Sequence, residues 1–391
     1  PGVFEPYSSD NREFRGVLQT DGLFEINSFW KWGWKGTLLS DETFMRTYDL
    51  TNATETRDQI FLTGQSARNW FDARVMHYQV FLDPYRFSNE TQPIIHPVVD
   101  YNYIFDQTVF GGRLSVDANV LSLTREEAEF LPTVAYAGNC PTGVLNNTNK
   151  FSNYTPAQQA GLLARVNSID CELIGTPGSS TRLVSEARWD RSITDGFGQV
   201  FTPFVTLRGD VYAIDVTDPY VSSGYTNANV INQFLNTGDE TVIRGMAAAG
   251  MEYRYPILIS NNWGYQIIEP MAQIITRPDA QDNSIIPNND ALSLVFDDTN
   301  LFQIDKFSGY DQMEGGTRAN VGIHYNAQTD SGIRVGGVFG QSYHLAGENP
   351  FPSGTGLETD RSDYVAALYF SPMSSIQIAN RIRLDESDFE S

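Results

Sequence analysis

Apolar and polar residues alternate with a period of two along most of the chain. From Thr317 to Gln328 one set is Thr317, Ala319, Val321, Ile323, Tyr325 and Ala327, and the other is Arg318, Asn320, Gly322, His324, Asn326 and Gln328. Ile333, Val335, Gly337 and Phe339 then oppose Arg334, Gly336, Gly340 and Ser342. Ile376, Ile378, Ile382 and Leu384 oppose Gln377, Arg381 and Arg383, and Leu114, Val116, Ala118 and Val120 oppose Arg113, Ser115, Asp117 and Asn119. Trp30, Trp32 and Trp34 share a face opposite Lys31 and Lys35. Successive side chains of a strand point to opposite faces, so each segment reads as a strand with one apolar and one polar face. Helical spacing is rare, and its best candidate is a short surface helix over Pro156–Val166.

Spacing says more than strand number. Short turns are expected near Asn27–Ser28, Arg68–Asn69, Asp106–Phe110, Asp195–Gly198, Asn261–Gly264, Gln328–Gly332 and Pro372–Ser375. Between the hairpins lie the longer polar stretches Ser40–Arg57, Asp83–Thr91, Thr124–Ser180, Thr217–Asp239, Pro278–Gly315 and Leu345–Arg361. The pattern gives roughly fourteen strands of about 9–14 residues, and alternating short turns and long loops are the signature of an antiparallel transmembrane β-barrel. The rival is a soluble β-sandwich or β-solenoid. Sandwich strands average roughly 5–6 residues, and no fixed-period repeat marks a solenoid. Charge on the polar faces suits a wet lumen.

Hairpins closed by the short turns place both chain ends on the long-loop side. Bacterial barrels keep their termini in the periplasm, so the expectation is a single barrel domain over 1–391, incomplete at both ends. The alternative is a complete fourteen-stranded barrel with one strand miscounted. Within the domain, 124–180 reads as an extracellular loop insertion and 278–315 as a loop folded into the lumen.

Composition fits this picture. The chain is 391 residues long and 13% aromatic, but only 41% of it is apolar. Such a mix suits strands of which one face alone is apolar. The 48 acidic and 26 basic side chains give a net charge of −22, which excludes a nucleic-acid partner. No apolar run approaches the roughly 18 residues of a membrane helix. No secretory signal opens the sequence, so the chain is either cytosolic or already processed.

The most distinctive stretch begins at Ile286-Pro287-Asn288-Asn289-Asp290. It continues through Phe296-Asp297-Asp298-Thr299-Asn300-Leu301-Phe302 to Lys306-Phe307-Ser308-Gly309-Tyr310-Asp311-Gln312-Met313-Glu314-Gly315-Gly316-Thr317-Arg318. It closely resembles the LptD family, the lipopolysaccharide-assembly or organic-solvent-tolerance proteins of the outer membrane. Three weaker stretches resemble the same family: Ile268-Glu269-Pro270-Met271-Ala272-Gln273, Ser40 to Tyr48, and Gly111 to Asn119. Together the matches cover nearly the whole chain. The resemblance implies a Gram-negative outer-membrane barrel of about 26 strands, preceded by a periplasmic jelly-roll domain that has no counterpart here. It also implies an LptE-type lipoprotein in the lumen and a periplasmic bridge protein, LptA, acting through the N-terminal domain. Lipopolysaccharide would leave through a lateral opening into the outer leaflet, among the membrane lipids. The family's long-range disulfides have no match. The alternative function is a general porin or channel.

The Pro278–Gly315 stretch carries Asp279, Asp282, Asp290, Asp297, Asp298, Asp305, Asp311 and Glu314 against Lys306 alone. Structureless loops beyond about 12–15 residues are often functional. One reading folds it into the lumen, where Leu301, Phe302, Phe307 and Tyr310 pack while the carboxylates face water, the lipoprotein or a divalent ion. The other is a solvated acidic surface loop. The candidate partner-contacting residues are Asp297, Asp298, Asn300, Leu301, Phe302, Phe307, Ser308, Gly309, Tyr310 and Asp311. The acidic spacing is not that of an EF-hand, so no metal or other cofactor is expected. Divalent ions bridging acidic loops to lipid phosphates remain a hypothesis resting on the net charge. Inward Arg and Lys either guide the sugar chain or balance luminal carboxylates.

Cys140 and Cys171 are read as a local loop disulfide, worth roughly 3–4 kcal/mol in the chain-entropy model, against two free thiols. Pro270 cannot donate to a ladder, so Glu269-Pro270 is read as a bulge or bend. His77, His96, His324 and His344 are scattered, and neither a nucleophile elbow nor a P-loop is present, so no enzyme is expected. The sequons at Asn52, Asn89 and Asn153 read as loop composition.

Overall fold

A computed structural model describes residues 15–41, 44–51, 53–81, 89–126, 128–132, 144–145, 171–174, 178–216, 239–281, 286–291, 294–352 and 354–387. Its first strands are β1 (Val17–Glu25), β2 (Trp30–Leu39), β3 (Glu55–Gln65), β4 (Asn69–Val80), β5 (Ile94–Ile104) and β6 (Arg113–Arg125). Three short strands follow: β7 (Ala128–Pro132), β8 (Val144–Leu145) and β9 (Cys171–Ile174). Next come β10 (Gly178–Asp190), β11 (Ile193–Thr194), β12 (Val200–Val216), β13 (Asp239–Arg254), β14 (Ile257–Asn261) and β15 (Gly264–Thr276). The last are β16 (Thr317–Thr329), β17 (Arg334–Ala346), β18 (Tyr364–Met373) and β19 (Ile376–Leu384). The one α-helical turn among the described residues, α1, is Phe44–Thr47.

The fold is an antiparallel β-barrel wall. One path of hydrogen-bonded neighbours runs β1-β2-β3-β4-β5-β6-β10-β12-β13-β15-β16-β17-β18-β19, with β11 on β12 and β14 on β15. Short and long connections alternate along this path, as the spacing of the sequence demands. β7, β8 and β9 form a separate small sheet within the connection between β6 and β10. The expected helix over 156–166 lies outside the described residues.

The register carries one face through the whole path. Leu23 on β1 pairs with Gly33, and Gly33 with Phe61. Phe61 pairs with Arg74, and on the same face Asp72 pairs with Asp100, and Asp100 with Asn119. Asn119 leads to Val184, Asp210 and Arg244. Beyond them Gly250 pairs with Ile275, Ile275 with Arg318, Gly322 with Gly340 and Gly340 with Val365. This face is the inner one, because the long loop after β15 packs on it.

The inner face is polar and buried, while the outer face is apolar and exposed. On β13 Arg244 is 3% exposed and its neighbour Ile243 73%; on β12 Asp210 is 1% exposed and Leu207 59%. A soluble sandwich would turn its apolar faces towards each other across a core. Here they point away from the sheet, and such an area of apolar surface calls for lipid. Exposed aromatics gather at the short-turn ends: Phe24, Phe29, Phe105, Phe110, Phe197 and Trp263. Amphipathic rings favour the level of lipid headgroups, and an aromatic rim of this kind is typical of outer-membrane barrels.

The bulge or bend expected at Glu269-Pro270 does not fall on the edge towards β16, where the pairing runs without a register shift. The interruption lies on the opposite edge of β15, where β13 ends at Arg254 and β14 resumes at Ile257. Tyr255 donates its N–H to the Pro270 carbonyl at 3.1 Å, so the donor that Pro270 lacks falls where the ladder is already broken. A register shift does occur at a proline, between Ile95 and Val98 on β5, where Pro97 sits.

Leu207→Arg places a cation on the outer face, midway along β12. In a bilayer-folded sample this substitution is expected to cost about 2–4 kcal/mol in denaturant titration, whereas an unchanged midpoint would contradict a lipid-facing surface.

Candidate functional site

The described residues of the 277–316 connection, 277–281, 286–291 and 294–316, lie across the inner face between β15 and β16. Two parts of this loop are tied together before either meets the wall. The Asp290 carboxylate accepts the N–H groups of Tyr310 at 2.9 Å and Asp311 at 3.1 Å, and Asp311 accepts that of Asn289 at 2.8 Å. Gly309 makes the crossing possible: its φ is +79°, and a Cβ there would strike the Asp290 carboxylate.

The tied segment rests on three wall arginines from adjacent strands. Arg182 on β10 meets Asp311 at 2.5 Å and Asp290 at 2.6 Å, and also donates to Asn119. Arg208 on β12 and Arg244 on β13 both donate to the Tyr310 carbonyl, and both are held by the wall carboxylate Asp210. The Tyr310 ring lies within cation–π range of Arg182 (5.2 Å) and Arg208 (5.6 Å). The Tyr212 hydroxyl donates to Asp311 and accepts from Arg244.

A second charged knot closes the loop where it returns to the sheet. Glu314 is buried between Arg277 (3.0 Å) and Arg318 (2.5 Å). Burial alone would raise its carboxyl, but Arg277, Arg318 and Lys306 hold it below the usual range. Lys306 donates to the carbonyls of Asn300 and Leu301. Burial pulls its ammonium down to about 7 against the opposing attraction of Glu314. Asp305 caps the N–H groups of Phe307 and Glu314, and burial together with Glu314 raises its carboxyl.

Apolar contacts fix the far side of the loop. Leu301 is fully buried over Gly340 and Gly322, and a Cβ at Gly340 would collide with it. Phe302 meets His324 edge-on at 6.0 Å, and its carbonyl accepts from Gln273. Phe307 stacks on Phe351 at 4.8 Å, within a cluster that includes Phe296, Leu301, Leu357 and Val365. Asp298 reaches the last two strands, accepting from Tyr369 at 2.5 Å and pairing with Arg381 at 3.0 Å.

The residues singled out from the sequence divide by role. Tyr310 and Asp311 meet the arginines, Gly309 shapes the crossing, and Leu301, Phe302 and Phe307 pack. Asp298 joins the loop to β18 and β19. Asp297 and Asn300 shape local turns: Asp297 accepts the N–H of Thr299 and donates its own to Asn300. Ser308 is exposed at the tip. The buried carboxylates Asp290, Asp311 and Glu314 face guanidinium groups rather than water, and inward arginines thus balance luminal carboxylates. The wall residues Arg182, Arg208, Asp210, Tyr212 and Arg244 were not anticipated. Their signal was present, since each is a polar residue on the polar parity of its strand. The Cys140–Cys171 pairing lies outside the described residues.

An antiparallel barrel wall with an apolar exterior, a charged interior and an inward-folded loop defines the class of outer-membrane β-barrel proteins. The chain matches the model of the family LPS transport system D, LptD, over residues 13–391, and it belongs to that family. The family serves lipopolysaccharide transport and assembly in the outer membrane and is not an enzyme family. No curated protein matches the chain.

Two outcomes follow for the loop. Glu314→Gln leaves Arg277 and Arg318 uncompensated, and removing one partner of a buried pair costs about 3–5 kcal/mol. It is expected to appear as lost hydrogen-exchange protection over residues 305–316, and retained protection would refute the knot. Asp311 behaves differently. Burial and the nearby Asp290 raise its carboxyl to about 6, although Arg182 pulls the other way. A carboxyl raised in the docked loop binds its proton there more tightly than in the released loop. Docking therefore strengthens as pH falls from about 6 towards the ordinary value of 3.8 and weakens as pH rises through that window. Asp311→Asn should flatten this dependence without releasing the loop, because Asp290 still faces Arg182. Hydrogen exchange against pH checks both points, and a loop that loosened on acidification to pH 5 would reverse the assignment.

Proposed function

We propose that the chain forms the wall of a channel that carries the polar part of lipopolysaccharide through its lumen and releases the lipid sideways into the outer leaflet. One observation carries this reading: charged and polar residues recur on the inner face from β2 to β19 while the outer face stays mainly apolar. A head group of sugars and phosphates can pass such an interior while the acyl chains stay with lipid. The work is positioning, and it needs no bond-making group.

The same reading assigns an LptE-type lipoprotein to the lumen and a periplasmic LptA-type bridge as supplier of the lipid. The inward loop makes its hydrogen bonds and ion pairs with strands from β6 to β19. Among the described residues, the short-turn end of the inner face of β1 and β2 is open, with Leu23 63% exposed and Glu25 paired to Lys31 at its rim. A mixed apolar and charged surface of this kind suits a protein plug.

A photo-cross-linker at Leu23 should capture a lipoprotein, and one at Asn326, inward on β16, should capture lipopolysaccharide during transport. The outward positions Phe24 and Ile323 serve as controls. Equal capture at inward and outward positions, or none at Asn326 in cells exporting lipopolysaccharide, would rule out passage along this wall.

A further inference from the structure

We propose that Arg182, Arg208 and Arg244 form a phosphate-binding site, and that the loop occupies it with Asp290, Tyr310 and Asp311 in place of a phosphorylated lipid head group. Loop and lipid would then compete for the same guanidiniums. The inference rests on the passage of lipopolysaccharide proposed above and names the group that is read on the way.

The geometry is that of an oxyanion site. The three guanidiniums come from adjacent inward positions on β10, β12 and β13 and converge on one short segment. All are buried or nearly so, with side-chain exposures of 5%, 7% and 0%. What they receive are oxygens: two carboxylates at 2.5 and 2.6 Å, and one carbonyl shared by two arginines. Planar guanidinium forks bind phosphate oxygens by the same charge-assisted geometry.

Charge supplies the second argument. With the loop in place, Asp210, Asp290 and Asp311 offset the three arginines. Without the tip, Asp210 is the carboxylate still ion-paired to them, which leaves 3 − 1 = +2 among the directly paired groups. Glu186 and Asp305 also act on Arg208, but Glu186 has Arg188 as a second neighbour and Asp305 has Arg277. A patch of +2 sunk in a wall calls for a dianion.

The loop is also built to let go at this end. Its tip, Ser308 and Gly309, is exposed, whereas the Glu314 knot is wholly buried. The tip can leave the arginines while the knot keeps the loop attached.

The test uses the purified full-length protein and reads hydrogen exchange over residues 308–312, whose Tyr310 and Asp311 amides are protected by Asp290. The probes are bisphosphorylated lipid A in micelles, the same lipid dephosphorylated, and inorganic pyrophosphate. Bisphosphorylated lipid should speed exchange about tenfold and dephosphorylated lipid should not. Pyrophosphate matching the lipid would assign the site to phosphate from either source; pyrophosphate without effect would assign it to the lipid head group. The Asp290→Asn/Asp311→Asn variant should exchange fast without ligand and bind phosphorylated lipid about tenfold more tightly. Arg182→Gln should also exchange fast but bind it about tenfold more weakly. Heat-modifiable electrophoretic mobility confirms that each variant has folded.

Equal responses to the two lipids, or tighter binding absent from the carboxylate variant, would overturn the proposal. Lipopolysaccharide captured at Asn326 in cells, together with phosphate-independent exchange, overturns this site and keeps the passage reading. Phosphate-dependent exchange with no capture at Asn326 keeps the site and removes the passage reading.

Discussion

A strand that faces lipid can place charge on one of its two faces only. A guanidinium or carboxylate at the bilayer midplane costs kilocalories, so every ionised group of the wall is driven inwards. The register obeys this along the whole path, from Lys31 and Arg74 through Arg182, Asp210 and Arg244 to Arg318 and Arg381. The inward crowd then needs partners of its own. Part of the need is met across and along the strands, as in Arg74 with Asp72 and Arg208 with Asp210. The remainder is met by a loop that brings carboxylates inside. The loop is acidic because the wall beneath it is basic.

Such pairing does not itself make the barrel stable. Desolvating two ions roughly cancels their attraction, and apolar residues of similar size would serve as well or better. What the pairs supply is direction. Asp311 and Tyr310 can satisfy three arginines at one place only, and Glu314 can lie between Arg277 and Arg318 in one way. Leu301 adds a steric condition, since it reaches the wall only where Gly322 and Gly340 remove side chains on neighbouring strands. Charge and shape therefore select one position for a segment without regular secondary structure.

Much of this was legible in the sequence, and the limit has a physical cause. Period two is a property of neighbouring residues, so strands, faces and the alternation of turns and loops could be read locally. Arg318 and Asn320 belong to the inner face because they share parity with His324 and Asn326, and no fold is needed to see it. The partner of a charged residue is a different matter. Asp311 meets Arg182 across 129 residues, and Asp298 meets Tyr369 across 71. No periodicity encodes which loop carboxylate faces which wall arginine. The sequence therefore leaves two roles open for the inward arginines, and the ion pairs of Asp290, Asp311 and Glu314 are of the charge-balancing kind. Pro270 shows a related limit. A missing donor marks a break in a ladder, but sequence alone does not say on which edge the break falls.

The net charge of −22 takes on a different meaning once it is placed. As a total it argues against attraction of an anionic lipid, and for the exterior that argument holds. Electrostatics inside a lumen is local, however. Exposed charges further away than a Debye length of about 8 Å are largely screened, while a buried guanidinium at 3 Å is not. An acidic protein can therefore hold a basic tier in its interior, provided its own acids cover that tier when nothing else does. The loop's carboxylates would then have two effects. They neutralise the wall while the channel is idle, and they set a threshold that an incoming anion must exceed. A lipid with one weakly charged group would not displace two carboxylates and a shared carbonyl; a doubly phosphorylated head group brings charge of the same order. Selectivity for the more highly charged lipid would arise from competition with the loop, without any contact specific to sugar or acyl chain.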